Sequence, residues 1–452
     1  MRKYLEIVNH MVWGVPALVL ILGVGIYLTI GTGFVQFRLF PRAMGNFFAR
    51  LTGRKENRGV SPMQALCTAL AATVGTGNLV GVAGAICLGG PGSIFWMWVC
   101  GILGMAIKFA EATLAVRYRV TQKGEHFAGP MYMIREGLPP RWRWMATVYS
   151  TFGVVAAFGV GNATQINAVI VSINQALEKF SIRPGREGNL FMGIGLGMLI
   201  GTMFLGGARR IGKCAEILVP FMSCGYMALC IGVLIVRISS VPSAFISIFQ
   251  GAFSPKAVTG GVIGSAFSAL RVGVSRGVFT NEAGMGTASI AHGAADVSHP
   301  GEQGLMGIME VFLDTIFMCT MTALVILASG VNIPYGTDYG GILTLAAFVS
   351  VYGDWVTAFL SVALCCFALA TVLGWGLYGA RCAQFLFGDG AWKIFALLQS
   401  VMVVLAAVMQ TGVLWSLAET VNGLMALPNL IVLAALSPEL RRLTLEYKKF
   451  CG

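Results

Sequence analysis

The chain has 452 residues, 56% of them hydrophobic and 11% charged, with a mean hydropathy of +0.78. A soluble domain carries about 25% charged residues, so this chain cannot cover its own surface in water and reads as an integral membrane protein. Its net charge of +12 does not point to nucleic acid, because the basic residues fall in short loops between apolar runs, the distribution that orients a membrane protein. The 11 cysteines lie mostly inside apolar stretches, with no C-x-x-C and no Cys/His cluster at metal-ligand spacing, and read as packing residues.

A hydrocarbon layer about 30 Å thick needs roughly 20 apolar residues per helix. That ruler predicts eleven spans: Trp13–Phe34, Met63–Leu88, Ser93–Val116, Trp144–Ala176, Leu190–Leu205, Cys214–Val236, Val258–Phe279, Leu305–Leu327, Val356–Tyr378, Trp392–Val408 and Leu414–Leu436. The first follows Arg2 and Lys3 but is long and leads into a basic loop, so it reads as a retained helix rather than a cleaved signal. Basic residues gather after the odd-numbered spans, among them Arg38, Arg42 and Arg50, then Arg117, Arg119 and Lys123, then Arg209, Arg210 and Lys213, and finally Arg441 and Arg442. This bias puts the N-terminus outside and the C-terminus in the cytoplasm.

No enzyme or ATPase signature is found. Gly75-Thr76-Gly77 lies within an apolar run without the strand-turn-helix context of a dinucleotide loop, and there is no G-x-x-x-x-G-K-[ST], H-E-x-x-H or G-x-S-x-G. What stands out is broken helix. The second span carries two glycines and three polar side chains in Thr73-Val74-Gly75-Thr76-Gly77-Asn78. Such a segment is either a small-residue packing face or an unwound stretch whose freed backbone groups bind an ion and a polar ligand. A second break is expected in the seventh span over Ser268–Gly277. Setting the first span aside, spans two to six and seven to eleven form two sets of five, each opened by a broken span as an inverted repeat requires.

In the fourth span, Asn162, Gln165 and Asn167 form an amide cluster at membrane depth, suited either to helix contacts or to a ligand. In the ninth, Ala368, Thr371 and Trp375 share one helical face. The Thr371 hydroxyl is a hard oxygen ligand suited to Na⁺, although a buried Thr commonly bonds its own i−4 carbonyl. Lys108 and Glu111, at i and i+3, are expected to pair with each other. Glu310, Asp314, Glu419, and Glu282 with His292 are candidates to carry protons.

Several long motifs resemble the alanine or glycine:cation symporter family: Thr68–Asn78 (TALAATVGTGN), Gly89–Gly92 leading into Phe95–Trp98, Gly104–Glu111 (GMAIKFAE), Gly129–Tyr132 (GPMY) and Arg276–Gly284 (RGVFTNEAG). The resemblance runs from about Gln64 to Asn429. It implies an all-α polytopic protein with a LeuT-like five-plus-five inverted repeat after one extra helix. The expected divisions are residues 1–60 (extra helix and basic loop), 61–254 and 255–437 (the two repeats) and 438–452 (a cytoplasmic tail). It further implies Na⁺-coupled uptake of alanine or glycine across the plasma (inner) membrane, with no cofactor beyond the coupling ion and no obligate protein partner. Carried over on the motif, the sodium site comprises Ala71, Val74, Ala368 and Thr371. The substrate is expected to meet Thr73, Thr76, Gly77, Gln165, Phe267, Gly273 and Trp375. The alternatives are a passive pore, which paired breaks argue against, a membrane-embedded enzyme, for which no catalytic group is found, and proton rather than sodium coupling.

Overall fold

The computed structural model describes residues 14–52, 59–178, 181–337, 340–409 and 412–450. Arg2, Lys3 and Trp13 lie outside this range, as does the side chain of Glu419. The first predicted span forms α1 (Val15–Gly31), followed by the amphipathic α2 (Phe40–Thr52). A capping box starts α3 (Pro62–Thr73): the Ser61 hydroxyl accepts from Gln64 N at 3.1 Å while Gln64 Oε1 accepts from Ser61 N at 3.2 Å. After a bend of 52° the span resumes as a wide turn at Gly77–Gly81 and α4 (Val82–Gly89).

The long α5 (Gly92–Arg117) leads to an antiparallel hairpin of β1 (Val120–Gln122) and β2 (Glu125–Phe127), then to α6 (Pro130–Gly137). The fourth span joins α7 (Trp144–Phe158) to α8 (Thr164–Glu178) through a wide turn at Gly159–Ala163. Spans five and six are α9 (Gly185–Leu205) and α10 (Gly207–Val236), and α11 (Val241–Phe253) lies beyond them. The seventh span is α12 (Ala266–Asn281), continued after a break by α13 (Thr287–His292). The eighth joins α14 (Pro300–Val311) to α15 (Thr320–Ala328) through a wide turn at Phe312–Cys319. Then come α16 (Gly340–Tyr352), the 32-residue α17 (Val356–Phe387), α18 (Ala391–Val408), α19 (Gly412–Ala435) and α20 (Ser437–Phe450).

Each predicted span therefore corresponds to a helix. Among the described residues seven helices are long and apolar enough to cross a bilayer by themselves, and two bent pairs raise that to nine. The remaining two, α1 and the broken α12–α13, are shorter. The extra helices α2, α6, α11 and α16 escaped the sequence reading because each is shorter than a membrane span.

The seventh span corrects one expectation. Ser268–Gly277 lies inside the continuous helix α12. A Cβ on Gly273 would lie 2.2 Å from the Ser93 carbonyl oxygen, and one on Gly277 would lie 3.2 Å from Cys100. These glycines let α12 pack closely on α5. The break falls at 282–286, where Glu282, Gly284 and Gly286 take φ values of +53°, +93° and +78°. Only at those glycines does the left-handed backbone itself favour the missing side chain.

A candidate binding site at the two helix breaks

At the first break the helical ladder stops in an orderly way. Val74 N still reaches the Leu70 carbonyl at 2.7 Å, but Gly75 N, next in line for the Ala71 carbonyl, bonds Asn78 Oδ1 at 3.0 Å. α17 crosses at this point. A Cβ on Gly75 would lie 2.6 Å from Thr371 Oγ1, and one on Gly374 would lie 2.9 Å from the Ala72 side chain. The absence of a side chain at Gly75 thus brings unwound backbone against the Thr371 hydroxyl. That hydroxyl donates to the Phe367 carbonyl at 3.1 Å, so its proton is occupied and its lone pairs remain for a cation. Ala71, Val74 and Ala368 are buried around this crossing.

A small cavity opens beside it, lined by Thr73, Thr76 and Gly77 of the first break, by Val160 and Gln165 of the fourth span, and by Thr371 and Trp375 of α17. Thr76 Oγ1 donates to Gln165 Oε1 at 3.4 Å, and Gln165 Nε2 to the Val160 carbonyl at 3.4 Å. Trp375 is 1% exposed and fits against Gly161, where a Cβ would fall 2.2 Å from the Trp375 Cβ. Five of the seven expected substrate residues therefore meet in one cavity. Phe267 and Gly273 do not: Phe267 is 54% exposed near the start of α12, and Gly273 is packed against α5. Both expectations followed from placing the second break too early.

From the second break the cavity receives Phe279 and Glu282. Glu282 Oε1 accepts from the Trp375 indole N–H at 2.7 Å and Oε2 from the Thr287 hydroxyl at 2.6 Å. The carboxylate therefore fixes the indole that walls the cavity. Neither Phe279 nor Glu282 was placed in the site from sequence, although both stand in the motif Arg276–Gly284 that carried the resemblance. Asn422 of α19 also lines the cavity, with no sequence signal to mark it.

The second break is held by other spans. Glu111 Oε1 accepts from Gly284 N at 3.0 Å, from Gly286 N at 3.1 Å and from Asn429 Nδ2 at 2.7 Å. Asn429 Nδ2 also reaches the Gly284 carbonyl at 2.9 Å, and the Tyr149 hydroxyl donates to the Met285 carbonyl at 3.1 Å. The expected Lys108–Glu111 pair is thus not formed. Lys108 Nζ lies 2.9 Å from Glu310 Oε1, and His292 Nε2 lies 2.8 Å from Glu310 Oε2 rather than beside Glu282. Tertiary packing offers each group a better partner than its own helix does.

This arrangement offers hydrogen-bonding backbone at two breaks, a hydroxyl oxygen, one carboxylate and an aromatic wall, which suits a cation and a small zwitterion. No group of three or more His, Cys, Asp or Glu that could hold a metal occurs among the described residues.

The model of the sodium:alanine symporter family matches residues 1–451. The sodium/alanine symporter AgcS of Methanococcus maripaludis is 41% identical over 434 residues, covering 95% of this chain and 93% of its own length. An uncharacterized transporter of Haemophilus influenzae is 42% identical over 451 residues, covering 99% of this chain and 96% of its own. Among solved structures, MhsT in complex with L-phenylalanine superposes with a TM-score of 0.57 at 14% identity, covering 87% of this chain and 99% of that one, a likeness of fold that makes this chain LeuT-like. The chain is a multi-pass membrane transporter, not an enzyme, and it belongs to the sodium:alanine symporter family, whose members couple amino-acid symport to Na⁺.

Proposed function

We propose that the chain carries alanine or glycine into the cell together with Na⁺ by alternating access, with its N-terminus outside and its C-terminus in the cytoplasm. The observation that carries this reading is the meeting of the break at Val74–Thr76 with Thr371 beside a cavity closed by Trp375. Na⁺ is held by the carbonyls of Ala71 and Val74, by Ala368 and by the Thr371 hydroxyl, all oxygen donors of the kind hard cations take. The substrate carboxylate faces amide groups of the first break near Thr76 and Gly77, while Thr73 and Gln165 supply further polar contacts. Its ammonium faces the Glu282 side, and Trp375 leaves no room for a long side chain. Ion binding at the α3–α17 crossing favours the state that accepts substrate, which is coupling by differential affinity.

The test is uptake of labelled alanine into proteoliposomes with the cation varied and a panel of amino acids as competitors. Concentrative uptake should require an inward Na⁺ gradient and be blocked by alanine and glycine but not by aromatic or charged amino acids. A sequence relative from Bacillus subtilis, 34% identical, bears the name putative sodium/proton-dependent alanine carrier protein. Four carboxyl groups buried near the breaks, Glu111, Glu282, Glu310 and Asp314, make proton coupling the second reading. Uptake that persists without Na⁺ and collapses with a protonophore would decide for it.

A further inference from the structure

The two breaks are joined by an unbroken line of hydrogen bonds that runs behind the cavity. At the first break the Asn78 amide turns both ways: its Oδ1 accepts from Gly75 N at 3.0 Å, and its Nδ2 donates to Asp314 Oδ1 at 2.7 Å and to the Asp314 carbonyl at 3.2 Å. The other carboxyl oxygen, Asp314 Oδ2, accepts from the Thr315 hydroxyl at 2.8 Å. Thr315 Oγ1 in turn accepts from Asn281 Nδ2 at 3.1 Å, and Asn281 Oδ1 accepts from Ala283 N at 2.9 Å inside the second break. All four side chains are at most 1% exposed, and none of Asn78, Asp314, Thr315 and Asn281 lines the cavity.

We propose that Asp314 is a positioning residue that links the two breaks, so that occupation of the sodium site at the first sets the position of Glu282, which the second break brings to the substrate cavity. The proposal rests on the functional reading above. Asp314 and Thr315 both stand in the wide turn Phe312–Cys319, Asp314 reaching the first break through Asn78 and Thr315 the second through Asn281. Wide turns of this kind are frequent at functional sites. Each carboxyl oxygen already receives a hydrogen, so Asp314 acts in this conformation as the acceptor at the centre of a network. The far ends of that network are the working groups. Gly75 lies against Thr371, and Ala283 directly follows Glu282, which holds Trp375. Buried polar networks tolerate partial satisfaction poorly, so a shift of the Gly75–Asn78 backbone on ion binding is transmitted to Asn281 and Ala283 rather than absorbed. Linkage then requires the same coupling in reverse, from substrate to ion.

The readout is the ratio of alanine dissociation constants in KCl and in NaCl, measured by equilibrium binding to the purified full-length protein. Asp314→Asn keeps the shape but alters the acceptors, and is expected to shrink this ratio about tenfold while binding in NaCl persists. Thr315→Val keeps the Asp314 carboxyl but removes the hydroxyl that joins it to Asn281, and should do the same, whereas Thr315→Ser keeps the hydroxyl and should keep the wild-type ratio. If Asp314→Asn does not yield monodisperse protein, the Val and Ser variants at position 315 carry the comparison. A wild-type ratio in both Asp314→Asn and Thr315→Val would overturn the link. Wild-type binding indifferent to Na⁺ would instead overturn the sodium reading, and this inference with it.

Discussion

Gly75 and Thr371 occupy each other's space, and that exclusion makes the sharpest residue-scale prediction. A Cβ at position 75 would stand 2.6 Å from the Thr371 hydroxyl oxygen, a distance that a backbone held by Asn78 cannot easily relieve. Both Gly75→Ala and Thr371→Ala are therefore expected to raise the Na⁺ concentration for half-maximal uptake by roughly tenfold, ~1.4 kcal/mol, while Thr371→Ser stays near wild type. Uptake measured against Na⁺ concentration checks this, and normal activation in Thr371→Ala would show the ion lies elsewhere. Trp375 plays a different part. Trp375→Phe keeps an apolar wall but leaves Glu282 Oε1 without its indole donor, an omission worth about 1–3 kcal/mol in a buried site. The expected outcome is a higher KM for alanine, with larger neutral amino acids becoming effective competitors. A competitor profile identical to wild type would remove Trp375 from the role of selector.

At the scale of elements, the site is shared between the two breaks, the fourth span at its wide turn, and the continuous helices α17 and α19. The second break is held by a carboxylate from α5 and an amide from α19, and at Gly286 it leaves no space for a side chain. A Cβ on Gly286 would lie 2.3 Å from the Pro130 ring, at a φ of +78°, whereas one on Gly23 of α1 meets nothing within 4 Å. Gly286→Ala should therefore abolish monodisperse protein where Gly23→Ala does not. Glu111→Ala should lower the thermal midpoint in detergent, consistent with about 1–3 kcal/mol for stranded backbone amides; an unchanged midpoint would mean that the break holds itself. The first break was legible in the sequence because two glycines and three polar residues interrupt an apolar run. The second was misread by about ten residues, since Gly273 and Gly277 carry the same composition for the sake of packing, and composition does not distinguish a glycine needed for closeness from one needed for positive φ. The partners of Lys108 and Glu111 were illegible for a related reason: spacing along one helix names the near candidate, while the fold supplies Glu310 and the break amides.

At the scale of the whole molecule, ion pairs between loops record which connections share a side of the membrane. Arg50 meets Glu302 at 3.0 Å, joining the loops after spans one and seven. Arg117 meets Glu439 at 2.9 Å, joining the loop after span three to the segment after span eleven. The hairpin after span three meets the loop after span nine twice, through Lys123–Asp389 at 2.7 Å and Glu125–Arg381 at 3.0 Å. Every one of these pairs joins odd-numbered connections, which is what eleven spans require and what one span more or fewer between the partners would forbid. The proposed orientation puts this shared side in the cytoplasm, because Lys and Arg concentrate there. In a background lacking the native cysteines, Lys123→Cys on the hairpin should react with an impermeant thiol reagent only after the membrane is opened. Ile182→Cys, 52% exposed between the fourth and fifth spans, should react on intact cells. Labelling of both from the same side would break the span count, while exchange of the two patterns would keep the count and invert the orientation.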